Sequence, residues 1–182
     1  MVQTIAPAAT AADFAEVAAL IGDYVGWCRA RYADEGWLVD AAFGHQSLDI
    51  ELASGFPAYR PPAGATLIAR HHGAAIGCIA YRRRSQHVCE MKRLFVRKSG
   101  QSRGAGRRLC EALIGEAERN GYAQMCLDTL SRFSEAIGLY RSLGFRECAP
   151  YQSYPSRLMP HLVFMQRPLA AHEGGPHDAD AK

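Results

Sequence analysis

The sequence predicts a single domain of the α/β class. Segments in which apolar residues recur at helical spacing alternate with short apolar runs typical of β-strands. The 182 residues suffice for one domain and are too few for two of ordinary size. Hydrophobic residues make up 48% and charged residues 21% of the chain, as in globular proteins with a substantial core. These observations exclude a disordered or fibrous chain and predict a domain over residues 1–169.

The N-terminal part of the chain predicts helices. Thr10 and Asp13 have the spacing of a capping box, and apolar residues follow at helical intervals, so a helix is expected over residues 10–31. A second, shorter helical pattern covers residues 46–53. The prolines and the glycine of residues 57–64 then predict an irregular connection.

The apolar period changes at residue 66. Residues 66–70 and 75–81 flank the sequence His-His-Gly at 71–73, which predicts a β-hairpin. Residues 88–96 predict a third strand.

The C-terminal half again alternates between the two kinds of element. Residues 102–120 predict a helix and residues 124–130 a strand. Ser131 is expected to cap the next helix. Strands are then predicted at residues 145–148 and 161–166, paired antiparallel. Residues 170–182 are rich in Gly, Ala and Asp, so this tail is expected to be disordered.

The net charge and the cysteines limit the possible functions and the expected cellular compartment. Lysine and arginine number 21 against 18 acidic residues, and a net charge of +3 does not by itself indicate nucleic-acid or membrane binding. The six cysteines lie at least 11 positions apart, so there is no CxxC pair, and no metal site is predicted. Buried free thiols and the absence of a basic and apolar leader in residues 1–10 predict a cytoplasmic protein.

The first chemical signal is the segment 101–106, Gln-Ser-Arg-Gly-Ala-Gly, between a strand and a helix. Successive backbone N–H groups at a helix start bind anions, and Gly104 and Gly106 leave room for a phosphate. Leu109 occupies the place of the last glycine of a dinucleotide fingerprint, and the lysine of a Walker loop is missing. The alternative is a simple turn before a solvated basic helix face.

Four segments together resemble the GNAT superfamily of N-acetyltransferases: CEMKRLFV at 89–96, QSRGAG at 101–106, LDT at 127–129 and AIGLYRSLGF at 136–145. The resemblance implies that residues 66–148 form the cofactor-binding core and residues 1–65 the variable acceptor-side helices. It also implies a mixed, twisted, mostly antiparallel sheet flanked by helices on both faces. The central strands of such a sheet splay apart to admit the cosubstrate acetyl-coenzyme A.

The resemblance assigns cofactor-binding roles to specific positions. Backbone N–H groups of the strand end would hold the pantetheine arm and polarise the thioester carbonyl, the loop would hold the pyrophosphate, and the next helix would complete the site. Many members carry an asparagine where this chain has Phe133, so one hydrogen bond to the cofactor is expected to be missing. The implied residues are Leu94, Phe95, Val96, Gln101, Ser102, Arg103, Gly104, Ala105, Gly106, Arg107, Phe133 and Ala136.

Tyr140 is the candidate general acid. A phenol with a pKa of about 10 is protonated at neutral pH and can donate a proton to the departing thiolate. In the family, the matching tyrosine has this role. Alternatively, Tyr140 is a core residue, because it continues the apolar stripe of Phe133, Ala136 and Ile137.

Glu90 is the candidate general base. It alternates with Lys92 and Leu94 along a strand on which neither face is purely apolar, so its carboxylate is expected to face a wet cleft. Some family members use a glutamate at this position, often through water. Alternatively, Glu90 orients the substrate or is simply solvated. Asp128 is a weaker candidate for the general base.

Three functions compete at this point. The favoured one is an N-acetyltransferase that transfers the acetyl group to a primary amine of a small molecule or peptide in a ternary complex. The second is a non-catalytic acyl-coenzyme A binding or sensing domain. The third, nucleic-acid binding through Arg82, Arg83 and Arg84, is the weakest. The protein is expected to be a monomer or homodimer without nucleic-acid or membrane partners. The acceptor pocket or the core would contain Tyr24, Trp27, Tyr32 and Trp37.

Overall fold

The computed structural model describes residues 3–101 and 104–170, which form one seven-stranded mixed sheet with helices on both faces. The strands are β1 (Gln3–Pro7), β2 (Gly64–His71), β3 (Ala74–Arg83), β4 (Val88–Val96), β5 (Gln124–Leu130), β6 (Arg146–Glu147) and β7 (Leu162–Pro168). The α-helices are α1 (Ala11–Arg31), α2 (Gly36–His45), α3 (Leu48–Ser54), α4 (Lys98–Gln101), α5 (Ala105–Arg119) and α6 (Ser134–Ser142).

The strand order is β1-β2-β3-β4-β5-β7-β6, and only the β4–β5 pair is parallel in the described part of the chain. The predicted fold class, a mixed and mostly antiparallel sheet, is therefore confirmed. The predicted antiparallel pairing of the last two strands is also confirmed, with Arg146 opposite Gln166.

The two central strands separate soon after they meet. β4 pairs with β5 from Val88 opposite Gln124 to Glu90 opposite Cys126, a stretch of three residues on each strand. Beyond it, the register of β4 with β3 shifts and Arg93 has a positive φ of 61°, which marks a β-bulge. A bulge bends its strand and increases the local twist. The bend carries β4 away from β5 and opens a gap at the centre of the sheet.

Alternate residues of the strands cover the two faces of the sheet. On β2, Leu67 and Ala69 belong to the core cluster that contains α5, whereas Ile68 packs with α1. The amphipathic pattern of α1 follows from the sequence as predicted. Thr10 Oγ1 accepts from the Asp13 N–H at 3.1 Å, and the Asp13 carboxylate accepts from the Thr10 N–H at 2.8 Å, which completes the capping box.

Several elements differ from the sequence prediction. β1, α2 and α4 were not predicted; β1 is short, half exposed and ends at Pro7, so its pattern is weak. The shorter helix predicted at residues 46–53 is found as α3. The predicted cap at Ser131 is wrong, because the Ser131 N–H instead donates to the His161 carbonyl at 2.9 Å and α6 begins at Ser134.

Two further predictions concern cysteines and the tail. All six cysteines are free thiols, and five of them are buried while Cys148 is half-buried. The tail predicted to be disordered lies outside the described residues from position 171 onward. No helix among residues 3–101 and 104–170 is long and apolar enough to cross a membrane.

Candidate active site

A cleft of about 520 Å³ lies where β4 and β5 separate; we call it the cofactor cleft. Of the cofactor-binding residues predicted from the sequence, the following line it: Leu94, Phe95, Val96, Gln101, Gly104, Gly106, Arg107, Phe133 and Ala136. Ala105 is fully buried and is not among the residues that line the cleft. Ser102 and Arg103 lie outside the described residues.

Side chains on either side of the loop before α5 make hydrogen bonds within the protein. Gln101 Nε2 donates to the Val96 carbonyl at 2.9 Å, and Arg107 Nη2 donates to Ser142 Oγ at 2.6 Å. Gly104 has a φ of 69°, a left-handed conformation that glycine adopts at little cost. The first N–H groups of α5 have no partner within the helix, so this end of the cleft is suited to a phosphate group.

The opposite wall of the cofactor cleft comes from α1. Of its lining residues, only Tyr24 and Trp27 were candidates from the sequence. Trp27 lies 5.1 Å from Phe133 between ring centroids. Arg31 Nη2 donates to the Glu135 carboxylate at 2.9 Å and to the Arg132 carbonyl at 3.1 Å, so it joins α1 to the start of α6. The partners in these contacts lie more than 100 positions apart in the sequence, so no local motif predicts the contacts. Further lining residues missed from the sequence are Thr129 and Leu139.

A small cavity of about 70 Å³ continues from the cofactor cleft; we call it the inner chamber. Five residues line both cavities: Tyr24, Leu94, Thr129, Phe133 and Tyr140. The inner chamber adds polar groups from β4, β5 and the α2–α3 turn, namely Lys92, Arg93, Asp128 and Gln46. Of the aromatic candidates for an acceptor pocket, Tyr24 lines the chamber and Trp27 the cleft, whereas Tyr32 is buried in the core and Trp37 stacks on Arg157.

Tyr140 lies on the buried side of α6 and borders both cavities. It is a core residue as well, with its ring 5.9 Å from that of Phe145. Burial raises the pKa of Tyr140 well above its ordinary value. The hydroxyl therefore stays protonated throughout the physiological pH range and can act as a proton donor.

Lys92 connects two buried carboxylates. Its Nζ lies 3.0 Å from Glu90 Oε1 and 2.5 Å from Asp128 Oδ1. Tyr151 and Gln152 approach both carboxylates, and Tyr154 donates to Asp128 Oδ2 at 2.9 Å. We call this group, with Arg82 and Arg84, the Glu90 cluster; its members are Arg82, Arg84, Glu90, Lys92, Asp128, Tyr151, Gln152 and Tyr154.

The expectation that Glu90 faces a wet cleft is wrong, because its side chain is 0% exposed. Burial by itself would raise the pKa of Glu90, but the positive charges of Lys92 and Arg82 outweigh it and lower the pKa to about 2. Glu90 is thus ionised at every ordinary pH. Asp128 is the carboxylate of the pair that lines the inner chamber.

The three arginines of the nucleic-acid alternative, Arg82, Arg83 and Arg84, make contacts within the protein. Arg82 Nε donates to Glu90 Oε2 at 2.7 Å, and Arg84 donates to the Gln152 side chain at 2.8 Å and the Tyr151 carbonyl at 3.2 Å. Arg83, on the other face of β3, donates to the Pro62 carbonyl at 3.1 Å. The alternation of a strand therefore sends two of the three arginines to one buried carboxylate.

A second buried ion pair joins the bulge of β4 to α3. Arg93 Nη2 lies 2.5 Å from Glu51 Oε2, and Arg93 Nη1 donates to Gln46 Oε1 at 2.7 Å. Tyr59 also donates to Glu51, at 3.0 Å. Among residues 3–101 and 104–170, no group of three or more His, Cys, Asp or Glu side chains is arranged to hold a metal ion.

An open sheet with diverging central strands, a glycine loop at a helix start and a cleft between them define the acyl-coenzyme A N-acyltransferase fold. Comparison with a solved structure agrees. The phosphinothricin acetyltransferase of Sinorhizobium meliloti in complex with AcCoA superposes with a TM-score of 0.63 at 19% identity, over 98% of this chain and 95% of that one.

Sequence comparison gives the family. Residues 62–147 match the acetyltransferase (GNAT) domain. A protein of Schizosaccharomyces pombe named as an uncharacterized N-acetyltransferase is 40% identical over 123 residues, which are 66% of this chain and 74% of that protein. The IAA acetyltransferase of Azospirillum brasilense is 34% identical over 104 residues, 57% of this chain and 67% of the relative. The chain belongs to the GNAT family of N-acetyltransferases.

Proposed function

We propose that the protein transfers the acetyl group of acetyl-coenzyme A to a primary amine by direct attack in a ternary complex. The observation that carries the proposal is the shared lining of the cofactor cleft and the inner chamber, with Tyr140 between them. In this transfer the amine nitrogen bonds to the acetyl carbonyl carbon and the carbon–sulfur bond breaks. The nitrogen loses one proton and the sulfur gains one.

The cofactor cleft has the features that acetyl-coenzyme A requires. We assign the pyrophosphate to the N–H groups at Gly104 and Gly106, with Gln101 and Arg107 supporting the loop. Ser102 and Arg103, which lie outside the described residues, are predicted from the sequence to bind the pyrophosphate as well. We assign the pantetheine arm to the backbone of Leu94, Phe95 and Val96, where β4 has left β5. Phe133 and Ala136 would border the arm from the α6 side.

Tyr140 is proposed as the general acid. Its position between the cavities suits a proton transfer to the departing sulfur, and a phenol is protonated at neutral pH. Its place in the core supports this role, because packing fixes the ring and so the direction of the hydroxyl.

For the amine proton, we propose the pair of Glu90 and Asp128 as a unit. Asp128 lines the inner chamber and would accept the proton directly or through water. Glu90, with its pKa of about 2, is a weak base by itself. It would instead hold Lys92 and so orient the Asp128 carboxylate, which makes it a positioning residue and not the base.

The cysteines support direct transfer over an acetylated enzyme thiol. Burial raises the pKa of Cys28, Cys78, Cys89 and Cys110 to about 12, so these thiols are poor nucleophiles. No cysteine lies among the described residues that line the cofactor cleft. Six unpaired thiols also support a reducing compartment, the cytoplasm.

The test is a two-substrate kinetic study with acetyl-coenzyme A and a panel of amino acids, polyamines, aminoglycosides and peptide N-termini. Coenzyme A release and mass spectrometry of the product identify the acceptor. Double-reciprocal plots that intersect are expected for a ternary complex. Parallel plots with an acetylated enzyme would contradict direct attack. Tight cofactor binding without transfer to any amine would instead favour an acyl-coenzyme A sensing domain.

A further inference from the structure

A third cavity, of about 330 Å³, borders the Glu90 cluster and is here called the outer pocket. Its lining includes Gln46, Ile50, Glu51, Arg82 and Tyr154, and Gln46 also lines the inner chamber. Side chains of the two cavities contact each other. Glu51 of the outer pocket forms an ion pair with Arg93 of the inner chamber, and Tyr154 of the outer pocket donates to Asp128 of the chamber. The outer pocket therefore adjoins the inner chamber at Gln46 and is distinct from the cofactor cleft.

Arg82 presents the chemistry of an anion receptor to the outer pocket. Its side chain is 32% exposed. In the described part of the chain, its one side-chain hydrogen bond is from Nε to Glu90. Both Nη groups of the guanidinium thus remain available, and a guanidinium edge matches the two oxygens of a carboxylate. The bond from Nε to a fully buried carboxylate fixes the direction of this edge.

The carboxylates around the outer pocket and chamber are already engaged. Glu51 accepts from Arg93 and Tyr59, Glu90 from Arg82 and Tyr151, and Asp128 from Lys92 and Tyr154. The charged side chains of this region are Arg82, Arg84, Lys92 and Arg93 against Glu51, Glu90 and Asp128, so the sum is 4 − 3 = +1. An acceptor with several positive charges would meet no uncommitted carboxylate there, whereas a carboxylate on the acceptor balances the excess charge.

We propose that the acceptor is a small amine that carries a carboxylate, as an α-amino acid does, and that Arg82 determines this specificity. The carboxylate binds the Nη edge of Arg82 in the outer pocket, and the amine passes Gln46 to reach the inner chamber. Ile50, Pro57 and Ala58 offer an apolar wall to the rest of the molecule. The proposal rests on the proposed acetyl transfer and names its substrate class.

The first experiment varies the substrate on the wild-type enzyme. Leucine, leucinamide and isoamylamine share a side chain and differ in the carboxylate, and alanine with alaninamide forms a second series. We expect kcat/KM for each amino acid to exceed that of its uncharged or cationic analogue at least tenfold. Equal or better acetylation of the amides or of spermidine would overturn the carboxylate proposal and leave acetyl transfer standing. Transfer to no amine at all would overturn the proposed function and this proposal with it.

The second experiment tests Arg82 itself. Arg82→Gln is expected to lower the ratio of kcat/KM for the amino acid to kcat/KM for the amide at least tenfold, so that the preference disappears whatever the variant does to both rates. Arg83→Gln removes the same charge from the opposite face of β3 and is expected to retain the preference. If Arg82→Gln does not fold, Arg82→Lys replaces it in this experiment, because lysine keeps the positive charge. This variant is expected to retain only part of the preference for the amino acid over the amide.

Binding supplies a readout that is independent of turnover. With coenzyme A present, the amino acid is expected to raise the melting temperature of the wild-type protein, whereas the amide is not. An equal shift with both ligands, or a preference that survives in Arg82→Gln, would exclude Arg82 as the specificity determinant.

Discussion

The cofactor cleft and the Glu90 cluster meet at the inner chamber but are built in opposite ways. One wall of the cleft consists of a strand end, glycines and a helix start within residues 94–107. The cluster depends on charged side chains that the fold brings together from distant positions, such as Glu90 and Tyr151, which are 61 residues apart. A change in the first region should weaken ligand binding, whereas a change in the second should first weaken the fold.

Tyr140→Phe tests the point where the two regions meet and carries the largest expected effect. The variant removes one oxygen and preserves the ring, so packing is retained. We expect kcat to fall by about 10²- to 10⁴-fold, the usual contribution of a general acid. The unfolding free energy should change by only ~1 kcal/mol.

The matched control is Tyr122→Phe, another buried tyrosine, which packs against Tyr81 and does not line the cleft. Steady-state kinetics and thermal melting on both variants separate the two roles. A near-normal kcat in Tyr140→Phe, together with a lowered melting temperature, would reduce Tyr140 to a core residue.

Glu90→Gln should destabilise the protein, because it leaves Arg82 and Lys92 without their shared carboxylate. Breaking a buried ion pair by removing one partner typically costs about 3–5 kcal/mol. Glu147→Gln at the exposed β6 edge breaks only a surface pair with Arg141, worth about 0–1 kcal/mol. Urea denaturation of the wild type and of both variants measures the two losses of unfolding free energy. If the two variants lose similar amounts of stability, the Glu90 cluster is not a structural anchor.

The same carboxylate predicts a pH window for stability. The pKa of Glu90 is about 2 in the folded protein and near 4.5 when unfolded. Its contribution is therefore fully present above pH ~4.5 and is lost as the pH falls towards 2, because the unfolded state then binds a proton more readily. Unfolding free energies measured between pH 6 and 2.5 should fall along this window in the wild type. The slope should be shallower in Glu90→Gln, and identical slopes would contradict the assignment.

On the cofactor side, Gly104→Val should weaken acetyl-coenzyme A binding by about tenfold. A β-branched residue at a φ of 69° costs about 1–2 kcal/mol, and the loop can avoid that cost by moving away from the phosphate-binding geometry. Gly104→Asn tolerates the left-handed conformation and is the control. KM for acetyl-coenzyme A and the cofactor-induced melting shift measure the difference. If valine and asparagine behave alike, the conformation of Gly104 is not what the site needs.

The contrast also explains what the sequence can and cannot predict. Strands β4 and β5 were predicted to the residue, and nine of the twelve cofactor positions line the cleft, because short motifs encode a strand, a loop and a helix start. The environment of Glu90 was predicted wrongly, since alternation along β4 cannot show that Arg82 and Tyr151 enclose it. The pairing of Arg93 with Glu51, across 42 positions, likewise has no local signal.

Arg93 lines the inner chamber, where the two regions meet. Its backbone forms the bulge that bends β4 and opens the cofactor cleft, while its side chain binds Glu51 of α3 beside the outer pocket. A ligand that shifts one end can act on the other through this residue, and any such heterotropic coupling is reciprocal. Bound coenzyme A is therefore expected to change acceptor affinity, and bound acceptor to change coenzyme A affinity by the same factor. Arg93→Gln is expected to weaken this coupling, and the change in acceptor KM between low and saturating acetyl-coenzyme A measures it.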